Sequence, residues 1–172
     1  MRYLITLPWM PYPATDGGKQ GSFNMLMELQ NMIDITLIYP VFFKKQMACQ
    51  YLLEKQLPKV KVYPFEYYKN KDGIKSQYSL FRLHRIITRK FLKQPYLATP
   101  IYKDAYIDFV NEIIKKDRID IVQNEYFEQL YMVYAIPNTV KKVFIQHEIQ
   151  YIAKERLFQQ REYPSSVRYL AT

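Results

Sequence analysis

Apolar positions along the chain follow two alternating rhythms. Residues 2–7 form a short apolar run that predicts a buried strand, closed by the turn residues Pro8, Pro11 and Pro13. From Ser22 onward Phe23, Leu26, Met27 and Leu29 recur at helical spacing, which predicts a helix over 19–31. The β-branched run from Ile33 to Tyr39 predicts a second strand stopped by Pro40, residues 43–56 a second helix, and Val60 to Phe65 a third strand. Strand, helix, strand, helix, strand is the order of a parallel sheet with crossover helices.

The middle of the chain is less regular. Residues 66–78 are polar and rich in Tyr and Lys, the composition of a long loop. Residues 79–93 predict a helix with Leu80, Leu83, Ile87 and Phe91 on one face, and Pro95 and Pro100 interrupt the chain after it. An amphipathic helix over 101–117, with Ala105, Phe109 and Ile113 along its apolar face, leads into a fourth strand over 119–123. A short helix or turn at 127–135 precedes a fifth strand over 142–146, and a last helix is expected from His147 or Glu148 to residue 162. No internal repeat is present. An open parallel sheet usually packs its last helix back, so an ending at Thr172 reads as a cut rather than a natural terminus.

Composition narrows the class. With 49% hydrophobic residues, 24% charged residues and only 4 Gly among 172, the chain lies in the range of folded domains rather than disordered or collagen-like ones. One cysteine, Cys49, excludes an intramolecular disulfide framework and fits a reducing compartment. The opening apolar run meets Pro8 too soon for a signal-peptide core, and no run approaches bilayer-spanning length, so the expected location is the cytoplasm. Charge is concentrated: between Glu66 and Lys103, nine Lys or Arg face two acids, so this stretch carries +7 of the total +9. A basic insertion at about 66–100 on an otherwise nearly neutral body attracts phosphate groups of some kind.

Three of the four glycines fall between Gly17 and Gly21, in the turn from the first strand to the first helix. Glycine there permits positive φ and close approach of a ligand to the backbone, and the following helix offers unpaired N–H groups to an anion. A phosphate- or sugar-contacting loop is therefore expected, against the plainer alternative of a tight turn. Two known phosphate loops do not fit. A Walker A motif needs Gly at 13 and Ser or Thr at 20, where the chain has Pro13 and Gln20. A dinucleotide fingerprint needs another glycine spacing and an acid ending the second strand, which instead ends in Tyr39-Pro40. NAD or FAD is not expected, and no cofactor is required by the motifs present.

The first strand followed by Pro11-x-Pro13-x-x-Asp16-Gly17-Gly18-Lys19, and then a helix of the form x-x-x-Asn24-x-x-x-x-Leu29, resembles the opening of a family 4 glycosyltransferase. Asp120-Ile121-Val122-Gln123-Asn124-Glu125-Tyr126 resembles that family's strand ending in a glutamate, and Val143-Phe144-Ile145-Gln146-His147-Glu148 its next strand, ending in His-Glu. The three occur in the family's order over roughly residues 1–160. The resemblance implies the N-terminal, acceptor-side half of a two-domain GT-B enzyme: an α/β, Rossmann-like three-layer sandwich with a mainly parallel sheet. It also implies retaining transfer from a nucleotide-sugar donor to a glycan or lipid-linked acceptor, direct and without a required metal. The nucleotide-binding second domain has no counterpart in residues 1–172, so the chain alone is expected to be inactive. The rival, from a different class, is a stand-alone non-catalytic α/β domain that binds a phosphoryl ligand.

His147 lies where the fifth strand meets its helix, at the edge where open α/β sheets bind ligands; position alone equally fits a capping or hydrogen-bonded histidine, and the resemblance implies contact with the donor sugar near the reacting centre. Glu125, also at a strand end, is a candidate for bonding a sugar hydroxyl, against a salt bridge to Lys or Arg. Gly17, Gly18 and Lys19 are candidates for substrate contact, although an exposed first-turn lysine is the commoner fate. Metal ligation is not expected: Cys49, His84 and His147 are far apart, and His147-Glu148-x-x-Tyr151 lacks a second histidine. Tyr67, Tyr68, Tyr78, Phe81 and Phe91 interleave with basic residues as in single-strand binders, but Phe81 and Phe91 belong to the apolar helix face, so nucleic acid is not an expected partner. Arg82, Arg85, Arg89, Lys90 and Lys93 flank that face, the pattern of a helix at the inner face of a membrane, against the plainer alternative of a helix that covers the sheet and leaves these bases solvated.

Overall fold

In a computed structural model, residues 1–69 and 104–147 are described, and they build a sheet of five parallel strands between two layers of helix. In chain order these are β1 (Arg2–Thr6), α1 (Gly17–Leu29), β2 (Asp34–Val41), α2 (Gln50–Gln56), β3 (Val60–Glu66), α3 (Asp104–Lys116), β4 (Ile121–Glu125), the short α4 (Met132–Ala135) and β5 (Lys141–Ile145). A 3₁₀ turn, Lys44–Cys49, precedes α2. The α/β class and the Rossmann-like layering expected from the chain pattern are thus present, and every strand pair is parallel. The proposed helix 79–93, His84, the terminal helix and all but the start of the basic insertion lie outside the described residues.

The sheet order is β3-β2-β1-β4-β5. The chain steps outward from β1 to β3, then crosses back and continues from β4 on the other side of β1. The direction of winding therefore reverses between β1 and β4, and such a switch point opens a crevice at the carboxyl ends of the strands. Alternation along the strands sorts side chains to the two faces. Leu4, Ile38 and Val122 pack with Tyr106, Val110, Ile113 and Met132 from α3 and α4. Ile5, Leu37 and Tyr39 pack on the opposite face with Leu26 of α1 and Leu53 of α2. The interior strand β2 is buried from Ile35 to Val41, as a strand covered on both faces must be. Each fully buried Leu or Ile contributes about 1.5–3 kcal/mol of transfer free energy.

Several boundaries differ from expectation, each for a local reason. Helix α1 begins at Gly17, two residues early, because the Asp16 carboxylate accepts the Lys19 N–H at 2.9 Å and caps it. Strand β2 continues through Pro40 to Val41. Ile38 offers its carbonyl to Leu7 on the β1 side, and alternation puts the Pro40 nitrogen on that same side, beyond the end of β1, where no ladder bond is lost. The expected helix 43–56 divides into the 3₁₀ turn and α2, and the expected loop 66–78 opens with Glu66 still in β3 and a 3₁₀ turn at Tyr67–Lys69. Strand β4 runs to Glu125, which places that carboxyl in the sheet rather than after it. Among the described residues, no helix is long and apolar enough to cross a membrane.

Candidate functional site

At the carboxyl ends of β1, β4 and β5 the sequence places polar side chains where a stable sheet would bury apolar ones. Gln123 and Glu125 alternate onto the α1 face, while Thr6 and Asn124 face α3. Glu125 is fully buried. Its Oε1 accepts Gln123 Nε2 at 2.6 Å, and Tyr3 donates in turn to Gln123 Oε1 at 2.7 Å. Its Oε2 accepts the Ser22 hydroxyl from α1 at 3.3 Å and faces His147 Nε2 at 3.1 Å. Three elements therefore converge on one carboxylate, and among the described residues its ion-pair partner is His147 rather than a lysine or arginine. The imidazole is about one-third exposed, so it reaches from the buried acid to the surface. With Nε2 committed to Glu125, the ring is oriented and Nδ1 is its second hydrogen-bonding atom.

Tyr126 organises the rest. Its backbone turns into the left-handed region at φ 67°, uncommon for a bulky side chain, while its N–H still bonds Ile145 at the end of β5. The turn folds the phenol back over α1. The hydroxyl donates to the Gly18 carbonyl at 2.9 Å and lies 3.3 Å from the Ser22 hydroxyl. The ring stacks on His147 at 4.3 Å between centroids and leans on Trp9 at 4.5 Å. Burial, reinforced by the Glu125 charge, raises the phenol above its ordinary pKa although the Ser22 bond opposes this, so Tyr126 remains a donor across the physiological range.

Gly17 and Gly18 are in the first turn of α1, and neither has positive φ, so the expected left-handed glycine turn is not what this loop uses. What Gly18 supplies is space. A Cβ there would lie 3.2 Å from the Tyr126 hydroxyl and 3.5 Å from Trp9, whereas one at Gly17 or Gly21 would meet nothing within 4 Å. Lys19 Nζ is 3.4 Å from Asp16 and 3.2 Å from the Thr15 hydroxyl, and so is held in its own turn. Gly18, Glu125 and His147 are thus brought together, with Gly17 adjoining and Lys19 directed to its cap. Glu125 is held away from solvent, which makes it a support for His147 rather than a surface group awaiting a hydroxyl.

Ser22, Gln123, Tyr126 and Trp9 join the site without being among the residues expected from the sequence. Gln123 was legible in principle, since a residue two before Glu125 in a strand shares its face. Two buried donors, Trp9 Nε1 and Asn124 Nδ2, have no hydrogen-bond partner among the described residues, although Asn124 Oδ1 accepts from Thr6 at 2.9 Å. No three His, Cys, Asp or Glu side chains cluster as a metal set among the described residues. Comparison with protein-family models, with curated proteins and with solved structures finds no match to this chain.

Proposed function

We propose that this chain is the acceptor-side domain of a retaining family 4 glycosyltransferase, acting with a nucleotide-sugar donor on a glycan or lipid-linked acceptor. The observation that carries the reading is the buried Glu125 bonded to the part-exposed His147 near the switch point of the sheet. A buried carboxylate is costly unless it is bonded on several sides. Here the pair leaves one end of the imidazole aimed outward at the edge where α/β sheets bind ligands. In this reading His147 bonds the donor sugar near the reacting centre, Glu125 orients the ring and sets negative potential behind it, and the Gly17-Gly18 turn lines the approach. The donor nucleotide belongs chiefly to a second domain. The expected setting is the cytoplasm, with the basic stretch 79–93 against the inner face of a membrane.

The test is sugar transfer from a panel of nucleotide sugars by the product of the whole reading frame, compared with its His147→Ala variant and with residues 1–172 alone. Transfer by the whole product, a loss of about a hundredfold or more in the variant, and none by the isolated chain are expected. Transfer that ignores His147→Ala, or transfer by the isolated chain, rejects the reading. Binding of a phosphoryl ligand by the isolated chain without any transfer by the whole product would favour the non-catalytic alternative.

A further inference from the structure

Beyond β2 the chain emerges at the same sheet edge as the candidate site and exposes Phe42-Phe43-Lys44-Lys45. Phe43 is 62% exposed, Tyr51 70% and Leu52 44%, although each belongs to a residue type that folding normally covers. The segment is well anchored from beneath. Leu53 and Leu57 are fully buried, Met47 and Cys49 pack on the same core, and Phe42 stacks on Tyr67 at 5.3 Å. Helical spacing puts Tyr51 and Lys55 on the side of α2 opposite Leu53, with Leu52 flanking them. The outer face is therefore two aromatics and a leucine among Lys44, Lys45 and Lys55, with Lys45 Nζ 5.9 Å from the centre of the Phe43 ring. Between Phe42 and Lys59 four lysines face one acid, Glu54, which accepts a bond from Gln50 at 2.7 Å. None of Lys44, Lys45 and Lys55 is in an ion pair among the described residues.

We infer that this face, built on the 3₁₀ turn and α2, docks on an anionic lipid bilayer. Aromatic rings with ammonium groups beside them match the interfacial zone, where the ring enters the headgroup layer and the lysines meet lipid phosphates. A second copy of the chain fits less well: a two-fold contact would set the lysines of one patch against those of the other. The inference does not depend on the transfer reaction. Its geometry also sets the bilayer beside the carboxyl edge of the sheet, where a lipid-linked molecule would have to be received.

The test is co-sedimentation of the full chain with phosphatidylcholine vesicles, with and without phosphatidylglycerol. The wild type is compared with the Phe43→Ser/Leu52→Ser double variant and the Lys44→Gln/Lys45→Gln/Lys55→Gln triple variant, each checked for an unchanged thermal melt. The wild type is expected to partition to the anionic vesicles. The triple variant loses about a hundredfold at low salt, at about fivefold per lysine, and less at high salt. The double variant loses about tenfold at either salt. Phe43→Trp supplies a second readout, its emission being quenched by brominated lipid. No partition of the wild type, equal partition to neutral vesicles, or both variants binding like the wild type overturns the inference. So does concentration-dependent dimerisation of the wild type that the double variant abolishes, which would give the face to a second copy.

Discussion

A carboxylate stands at each end of β4, Asp120 just before it and Glu125 as its last residue, and the two ends are built differently. At its amino end Asp120 accepts the Arg2 N–H at 2.8 Å and its guanidinium at 3.1 Å, with both side chains nearly half exposed. At its carboxyl end Glu125 is fully buried among Gln123, Ser22 and His147. The same contrast holds for the two non-glycine residues with positive φ among the described residues. Arg118, at φ 51°, ends α3 in a Schellman turn, with Arg118 N–H on the Lys115 carbonyl and Ile119 N–H on that of Ile114. Tyr126 caps no helix, and its strained turn positions a side chain instead. One edge follows the ordinary rules of termination and surface pairing. The other departs from them in several ways at once, and departures of that kind concentrate at functional sites.

The largest predicted effect separates the two carboxylates. Glu125→Ala leaves Gln123 and Ser22 without their acceptor in a buried setting, and urea unfolding is expected to show a loss of about 3 kcal/mol. Asp120→Ala removes an exposed pair and should hardly move the midpoint. Equal losses would dissolve the distinction between the edges.

The strained residues form the second pair. Arg118→Gly keeps the Schellman turn and relieves the left-handed cost, so it is expected to stabilise by up to about 1 kcal/mol. Tyr126→Gly relieves the same cost but forfeits two ring contacts and a hydrogen bond, and should destabilise by about 2 kcal/mol. Opposite signs in thermal melts are the check; a stabilising Tyr126→Gly would mean that the ring contributes little.

A third comparison lies within the glycine turn. Gly17→Ala meets open space and favours the helix, a gain of about 0.5 kcal/mol. Gly18→Ala presses on the Tyr126 hydroxyl, which Gly18 and Ser22 hold and whose ring is fixed by Trp9 and His147, and should cost about 1 kcal/mol. Combining Gly18→Ala with Tyr126→Phe removes the obstructing oxygen, so the double mutant should be more stable than the sum of the singles allows. Strict additivity would show that the hydroxyl is not the obstruction.

The smallest effect is one of pH. The Arg2 N–H, then the Arg2 side chain, hold the Asp120 carboxyl below its ordinary value of 3.8. A lowered folded-state pKa contributes stability that is complete above the unfolded value and disappears as pH falls through the folded one. Asp120→Asn should therefore lower stability slightly near neutrality, where the contribution is complete, and converge with the wild type well below about pH 4, so its curve is flatter in acid. A loss of the same size in strong acid and at neutrality would contradict this assignment.

Much of this was legible in the chain. The alternation of β-branched runs with helical spacing foretold five strands and their parallel class, because an apolar run of strand length must be covered on both faces. The strand-end positions of Glu125 and His147 followed from the same periodicity. Boundaries were less legible. Asp16 as a cap and Pro40 as a strand residue depend on which backbone group is left without a partner, and that is set by where β1 ends.

What the sequence determined by itself is the class of fold, the edge on which the polar residues gather, and the clustering of three glycines in one turn. Tertiary structure decided their meaning. It paired Glu125 with His147 across 22 positions and with Ser22 across 103, and it made Gly18 a clearance for Tyr126 rather than a left-handed hinge. The physical reason is that periodicity reports which face a residue occupies, since that follows from local backbone geometry. Which residues then meet depends on strand order and on the reversal of winding between β1 and β4, and neither is written in any local stretch of chain.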